Sequence, residues 1–168
     1  MLFRSDAGEA PEMLLEGDGP HALAWRDWTE PALVERGADC FDRLGLSEEI
    51  EALADPETPL PGGARMSVES TRALVAVDVD TGQDTSPAAA LKANVAAARA
   101  LPRVLRVRGL GGQIVIDAAP SPKRDRPRIE QALRGALRAD PVETAVLGWT
   151  ALGHIELQRK RARAPLRP

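Results

Sequence analysis

The stretch LVAVDVDTG, residues 74–82, decides the fold. Leu74 to Val77 are apolar and lead into Asp78 and Asp80, two apart at the far end of the run. A second run, QIVIDA at 113–118, repeats the arrangement, with Ile114, Val115 and Ile116 leading directly into Asp117. Short apolar runs rich in β-branched residues and bounded by turn formers read as strands. The near-continuous apolarity of the second run predicts burial on both faces. Between the two, Leu91, Val95 and Ala98 stand at i, i+4 and i+7 of a segment starting at Ala88, which predicts an amphipathic helix, kinked or restarted at Pro102. A strand, a crossover helix and a second strand in one sheet form a parallel unit whose strands end at a common edge. Open α/β sheets place ligands there, and Asp78, Asp80 and Asp117 fall at that edge. Side chains alternate along a strand, so Asp78 and Asp80 face one side together.

Working outward, ARMSVES at 64–70 predicts a strand that pairs as a hairpin with the LVAVDVD strand, turning near Glu69-Ser70. After the basic loop SPKRDR, Pro127 suits a first helical turn, and Ile129, Leu133, Ala136 and Leu137 share one face. Residues Glu143 to Trp149 predict a further strand, and QRKRARAPLRP at the end reads as a charge run with no packing face. Upstream, three prolines and two glycines in DPETPLPGG, 55–63, can neither continue a helix nor pair as a central strand. Before this break, LSEEIEAL carries a helix-start signature at Ser47, Pro31 can open a short helix, and residues 1–22 are expected to be irregular. The expected organisation is an N-terminal segment, 1–58, and a catalytic subdomain with a basic tail, 59–168. The fold class is α/β (α+β), a mixed sheet with a central strand-helix-strand unit flanked by helices.

Composition bounds the chemistry. With 168 residues, 43% of them hydrophobic, the chain can bury one real core. No apolar run approaches the roughly 18 to 20 residues that cross a bilayer, and the start MLFRSDAGEAPEM has no apolar signal core. Cys40 is the only cysteine, which excludes an intramolecular disulfide and a cysteine-cluster zinc site within the chain and fits a cytoplasmic location. The net charge of -3 hides an asymmetry: residues 1–98 hold 7 Lys+Arg against 19 Asp+Glu, whereas residues 99–168 hold 15 against 6. A basic second half suits a polyanion, or else solvated Arg-rich helix faces.

Gathering carboxylates costs energy, since like charges ~4 Å apart repel by about 4 kcal/mol at an effective dielectric near 20. Mg²⁺ offsets this: it takes oxygen ligands, is held by one or two carboxylates, and keeps positions for water and phosphate. A proton shared between two acids is the other solution and would suit sugar chemistry. The basic flank favours a phosphate substrate and therefore the metal. Singly, an Asp at a strand end also serves as a turn former or helix cap.

In order along the chain, PLPGGARMSVESTRALVAVDVDTG, LKANVAAARALPRVLRVRGLGGQIVID and TALGHIELQRKRAR resemble the DNase I-like catalytic subdomain of the bacterial ribonuclease E/G endoribonucleases, over about residues 59–163. The resemblance implies a Mg²⁺-dependent endoribonuclease, with Mn²⁺ as a substitute metal, that cleaves single-stranded RNA to 5′-phosphate and 3′-hydroxyl ends. The family's two metal aspartates fall on Asp78 and Asp117. Asp80 takes the place of a family amide and would orient a metal-bound water, and Asn94 matches an asparagine expected to be structural. Phosphate contacts are expected from Lys123, Arg124 and Arg126 and from Arg159, Lys160 and Arg161. Ala118, Ala119, Pro120 and Ser121 replace the family's F-I-D-M. Full-length members also carry an S1 RNA-binding domain, a 5′-end sensor and a zinc-binding cysteine motif. None is expected here, so a homo-oligomer would form without the zinc link. The competing reading keeps the fold and drops the chemistry, leaving a catalytically weak or inactive RNA-binding protein. Three Trp, two Phe and no Tyr make an independent stacking platform a weak expectation. His154 reads as a packed or surface histidine, Cys40 as a small core residue, and Trp25, Trp28 and Trp149 as packing.

Overall fold

The computed structural model describes residues 2–4, 12–16, 20, 33–37 and 39–166. The chain divides into two units, Met1–Ala52 and Leu53–Pro168. In the first, β1 (Leu2–Arg4), β2 (Glu12–Glu16) and β3 (Leu33–Gly37) form a sheet in that order, β1–β2 antiparallel and β2–β3 parallel. The irregular start expected for residues 1–22 is corrected at 2–4 and 12–16, which form strands: EMLLE is too short to hold a strand alone, but its backbone groups are satisfied by its neighbours across the ladder. Pro31, Trp25 and Trp28 lie outside the described residues, and β3 begins at Leu33, just past Pro31. Helix α1 (Cys40–Arg43) buries Cys40, and α2 (Leu46–Ala54) forms where LSEEIEAL predicts it.

The second unit holds a six-stranded sheet in the order β4-β5-β6-β7-β9-β8. Its strands are β4 (Glu57–Pro59), β5 (Arg65–Ser70), β6 (Val75–Asp80), β7 (Gly112–Asp117), β8 (Thr144–Trp149) and β9 (Ile155–Arg159). Pro59 is tolerated because β4 is an edge strand. The β5–β6 hairpin forms as expected, and β6–β7 is a parallel pair bridged by α3 (Pro87–Val107). Ser86 caps α3, its hydroxyl accepting from Ala89 N–H at 3.2 Å, with Pro87 in the first turn. The helix runs on through Pro102 rather than restarting there, because Leu101 and Leu105 on either side are fully buried and hold the turn by packing. It stops at Gly109, whose N–H reaches Arg106 O at 3.2 Å and whose φ of 66° turns the chain so that Leu110 N–H reaches Leu105 O at 2.8 Å. This is a Schellman stop.

Helix α4 (Arg126–Arg138) lies beside α3, and together they cover one face of the sheet. Val77, Val79, Ile116 and Ile155 meet Leu101, Ile129 and Leu133 beneath them. Burial on both faces of QIVID is corrected: β7 alternates, with Ile114 and Ile116 buried and Gln113 and Asp117 exposed. Apolar residues on a half-covered strand still alternate in exposure; Val115 is only partly buried.

The charge run assigned to the tail is also corrected at its start. β9 runs through Arg159 and is central, lying between β7 and β8. Arg159 is 1% exposed and pairs with Asp140 at 3.0 Å, and Asp140 also pairs with Arg106. A buried carboxylate between two guanidiniums is what lets a charged residue sit in a core strand.

Candidate metal centre on the open sheet face

The register of β6 on β7 pairs Asp78 with Asp117. Adjacent strands run about 4.8 Å apart, and both aspartates occupy exposed positions of their strands, on the face the helices leave open. The two carboxylates far apart in sequence are therefore neighbours at the C-terminal ends of a parallel pair. The Asp117 side chain is 63% exposed, so water and a phosphate can reach the pair.

Asp78 feels its surroundings. Burial first, then the negative charges of Asp117 and Asp80, push its carboxyl above the usual range, against the opposing hydrogen bond from the Val79 backbone. Cation binding is the natural relief for such a carboxylate. Among the described residues, no group of three or more His, Cys, Asp or Glu gathers with metal-binding geometry. A cation at this edge would have the Asp78–Asp117 pair as its protein donors. Two hard oxygens with open positions fit Mg²⁺ or Mn²⁺, and do not suit Zn²⁺, which wants N and S donors in a tetrahedron.

Asp80 lies on the same face one pleat further along, but its carboxylate is engaged. Arg65 donates to it at 2.7 Å and the Gly82 N–H at 2.8 Å. The Arg65 guanidinium, seconded by that N–H, holds Asp80 below the usual carboxylate range. Arg65 therefore offsets the charge that Asp brings to a position where the family has an amide. Gly82 is fixed by backbone contact: its φ is 72°, and a Cβ would stand 2.5 Å from Gly63 O. This close approach packs the loop after β6 against the Gly-Gly turn ahead of β5.

Asn94 carries the structural role expected of it. From the buried face of α3, its amide donates to Ala119 O and its carbonyl accepts from Ala119 N–H, both at 2.9 Å. This pair of bonds fixes the backbone two residues after Asp117. Buried Ala119 needs only a small side chain, so the loop closes without the bulky residues of F-I-D-M.

His154, read from the sequence as a packed or surface histidine, is partly buried beside the carboxylate pair. Its Nδ1 lies 3.2 Å from Asp117 Oδ1, close enough for an ion pair though misaligned for a hydrogen bond. The signal was available only through β9, since Ile155 pairs with Ile116 and so puts the preceding residue opposite Asp117.

The basic residues divide. Lys123 and Arg124 are exposed in the turn after the Asp117 loop, and Arg126 opens α4. Arg159 is corrected: buried and ion-paired, it has no donor to offer a phosphate. Lys160 and Arg161 are exposed at the other end of β7, beyond the Gly112–Arg159 pair. Five residues of strand put them about 17 Å from Asp117.

Among the described residues, no helix is long and apolar enough to cross a membrane. The Ribonuclease E/G family profile matches residues 26–162, so the likeness read over 59–163 extends well forward. Ribonuclease G of Escherichia coli K12 is 35% identical over 132 residues, covering 73% of this chain and 26% of that protein. The chloroplastic ribonuclease E/G-like protein of Arabidopsis thaliana is 32% identical over 138 residues, 78% of this chain and 14% of its own length. Ribonuclease E of Escherichia coli K12 is 32% identical over 126 residues, 72% of this chain and 12% of its own. The chain thus spans about a quarter or less of the length of these relatives. With a profile match running through both helices and all six strands of the larger sheet, the chain belongs to the Ribonuclease E/G family.

Proposed function

We propose that the chain carries the catalytic centre of an endoribonuclease that cuts single-stranded RNA with Mg²⁺, or Mn²⁺ in its place, held by Asp78 and Asp117. The single observation that supports this reading is the register that sets Asp78 beside Asp117 on the uncovered face of the sheet. When bound, the metal would supply a water of lowered pKa and charge stabilisation at the phosphorus oxygens. The protein's own part is positioning. β6 and β7 fix the two carboxylates, the Asn94–Ala119 bonds fix the loop after Asp117, and Arg65 neutralises Asp80 so that less repulsion reaches an incoming phosphate. Asp80, held by Arg65 and Gly82, would orient a water through whichever lone pairs those donors leave open. Lys123, Arg124 and Arg126 lie at the Asp117 end and would hold phosphates near the cut. Lys160 and Arg161 would meet nucleotides farther along the strand.

The experiment is cleavage of a labelled single-stranded RNA with Mg²⁺, comparing the chain with its Asp78→Asn/Asp117→Asn variant. Cleavage by the first and not the second is expected. Equal rates sink the enzyme, and binding without cleavage by the unaltered chain supports the RNA-binding alternative instead.

A further inference from the structure

On its helical side the larger unit carries a groove of about 740 Å³ between α4 and the end of β8, lined by Lys123, Arg126, Arg134, Gly135, Arg138 and Trp149. Three features separate it from an ordinary solvated face. Its charge is of one sign: the acid that lines it, Glu130, is tied to Arg134 at 2.7 Å, which leaves Lys123, Arg126 and Arg138 in excess. It holds a flat surface, since the Arg126 guanidinium lies over the face of the partly buried Trp149 ring, 4.5 Å from its centre. It is also kept open. Gly135 stands on the exposed side of a helix, where a Cβ would meet nothing within 4 Å. No packing demand explains a residue that costs a helix roughly 0.5–1 kcal/mol relative to Ala.

The groove's position links it to the carboxylate pair. Trp149 and Ile116 both pair with Ile155, so Trp149 sits at the Asp117 end of the sheet, about 10 Å away across two strands. The Arg126 guanidinium lies against Gly153, the residue before His154, and His154 meets Asp117. From that mouth, Arg126 to Arg138 covers about 18 Å of helix. This is a track, which suits a chain of phosphates better than one anion.

We propose that this groove binds the single-stranded RNA on one side of the cut, with Lys123, Arg126 and Arg138 on phosphates spaced along the strand and a base on Trp149. The assignment rests on the proposed nuclease reading for its substrate, and goes beyond it by routing the strand from the open sheet face around the sheet's end to the helical side. A base on the ring would displace or sandwich the Arg126 guanidinium, as aromatic and Arg platforms do in single-strand binders.

The test is binding of a fluorescein-labelled single-stranded RNA to the full chain bearing Asp78→Asn/Asp117→Asn, followed by anisotropy over a range of salt. Adding Arg126→Ala and Arg138→Ala is expected to flatten the slope of log affinity against log salt by about 1.4, two single-strand phosphates at about 0.7 each. Arg72→Ala, in the β5–β6 turn, should leave the slope unchanged. RNA should also quench tryptophan fluorescence, and Trp149→Phe should abolish the quench. An unchanged slope in the double Arg variant, or a quench that survives Trp149→Phe, overturns the groove. Poly-glutamate binding as tightly as RNA with the same dependence on Arg126 and Arg138 overturns the RNA assignment in favour of an acidic protein partner. Metal-dependent cleavage by the chain with Asp78 and Asp117 intact separates these failures from failure of the nuclease reading.

Discussion

Asp78 shows what a site residue does to its own fold. Burial and two like charges raise its carboxyl above the ordinary value. The folded chain therefore binds a proton more readily than the unfolded one, and stability gains as pH falls through the window between the ordinary value and the raised one. Above that window the charged form works against folding. Asp78→Asn removes the charge and keeps the shape, so it should raise the melting temperature at neutral pH while abolishing the proposed cleavage. The gain should stay below about 1 kcal/mol because the position is open to solvent, and it should vanish at pH 3, where both proteins carry a neutral group. A melt of each protein at pH 7 and pH 3 reads this directly. Asn94 is the opposite case. Asn94→Ala strips partners from a buried N–H and a buried C=O of Ala119, which should cost about 2–4 kcal/mol. Asn94→Ser should recover little, since its shorter side chain does not reach the two Ala119 backbone groups that the amide's separate O and N span.

At the scale of elements, legibility followed how locally each signal was written. α3, β6, β7 and the β5–β6 hairpin are set by periodicity and turn chemistry within their own segments, and all of these form. β9 was hidden because its inward residues include an arginine. Ile155, Leu157 and Arg159 alternate as a buried face only once Asp140, nineteen residues earlier, stands ready to neutralise the last of them. A period-2 pattern with a charge in it reads as surface until its partner is known. His154 went unplaced for the same reason, since its nearness to Asp117 is a consequence of β9's register. The Asp78–Asp117 pair was legible because a parallel unit puts strand ends together whatever the details. Asp140 itself gives the sharpest stability test of the hidden element. Burial alone would raise its carboxyl, but the Val142 N–H and the Arg159 and Arg106 guanidiniums outweigh it and hold the group low. Its contribution is present above the ordinary carboxylate value and is lost as pH falls through the lowered one. Asp140→Asn leaves the buried Arg159 unpaired and should destabilise by about 3–5 kcal/mol in a chemical denaturation at pH 7.

At the scale of the larger unit, the arrangement is a sheet with helices on one face and carboxylates on the other. An uncovered face forfeits apolar burial, which is why Ser67, Ala76, Asp78 and Gln113 among its outward positions are polar or small, although Val115 and Leu147 are not. The face is thus organised around charge, and its stability should respond to what neutralises that charge. A cation that binds the folded pair and not the unfolded chain stabilises by RT ln(1 + [L]/Kd), about 1.4 kcal/mol at ten times Kd. For a domain of this size that is a rise of roughly 3–8 °C in melting temperature. Mn²⁺ or Mg²⁺ titrated into the chain should give this rise with saturation. Asp117→Asn should remove the response, because one carboxylate is left to hold the ion. A rise of equal size in the Asp78→Asn/Asp117→Asn variant would place the cation elsewhere on the acidic chain and separate the sheet face from metal binding altogether. Since unfolding rather than turnover is the readout, the result holds whether or not this chain cleaves RNA by itself.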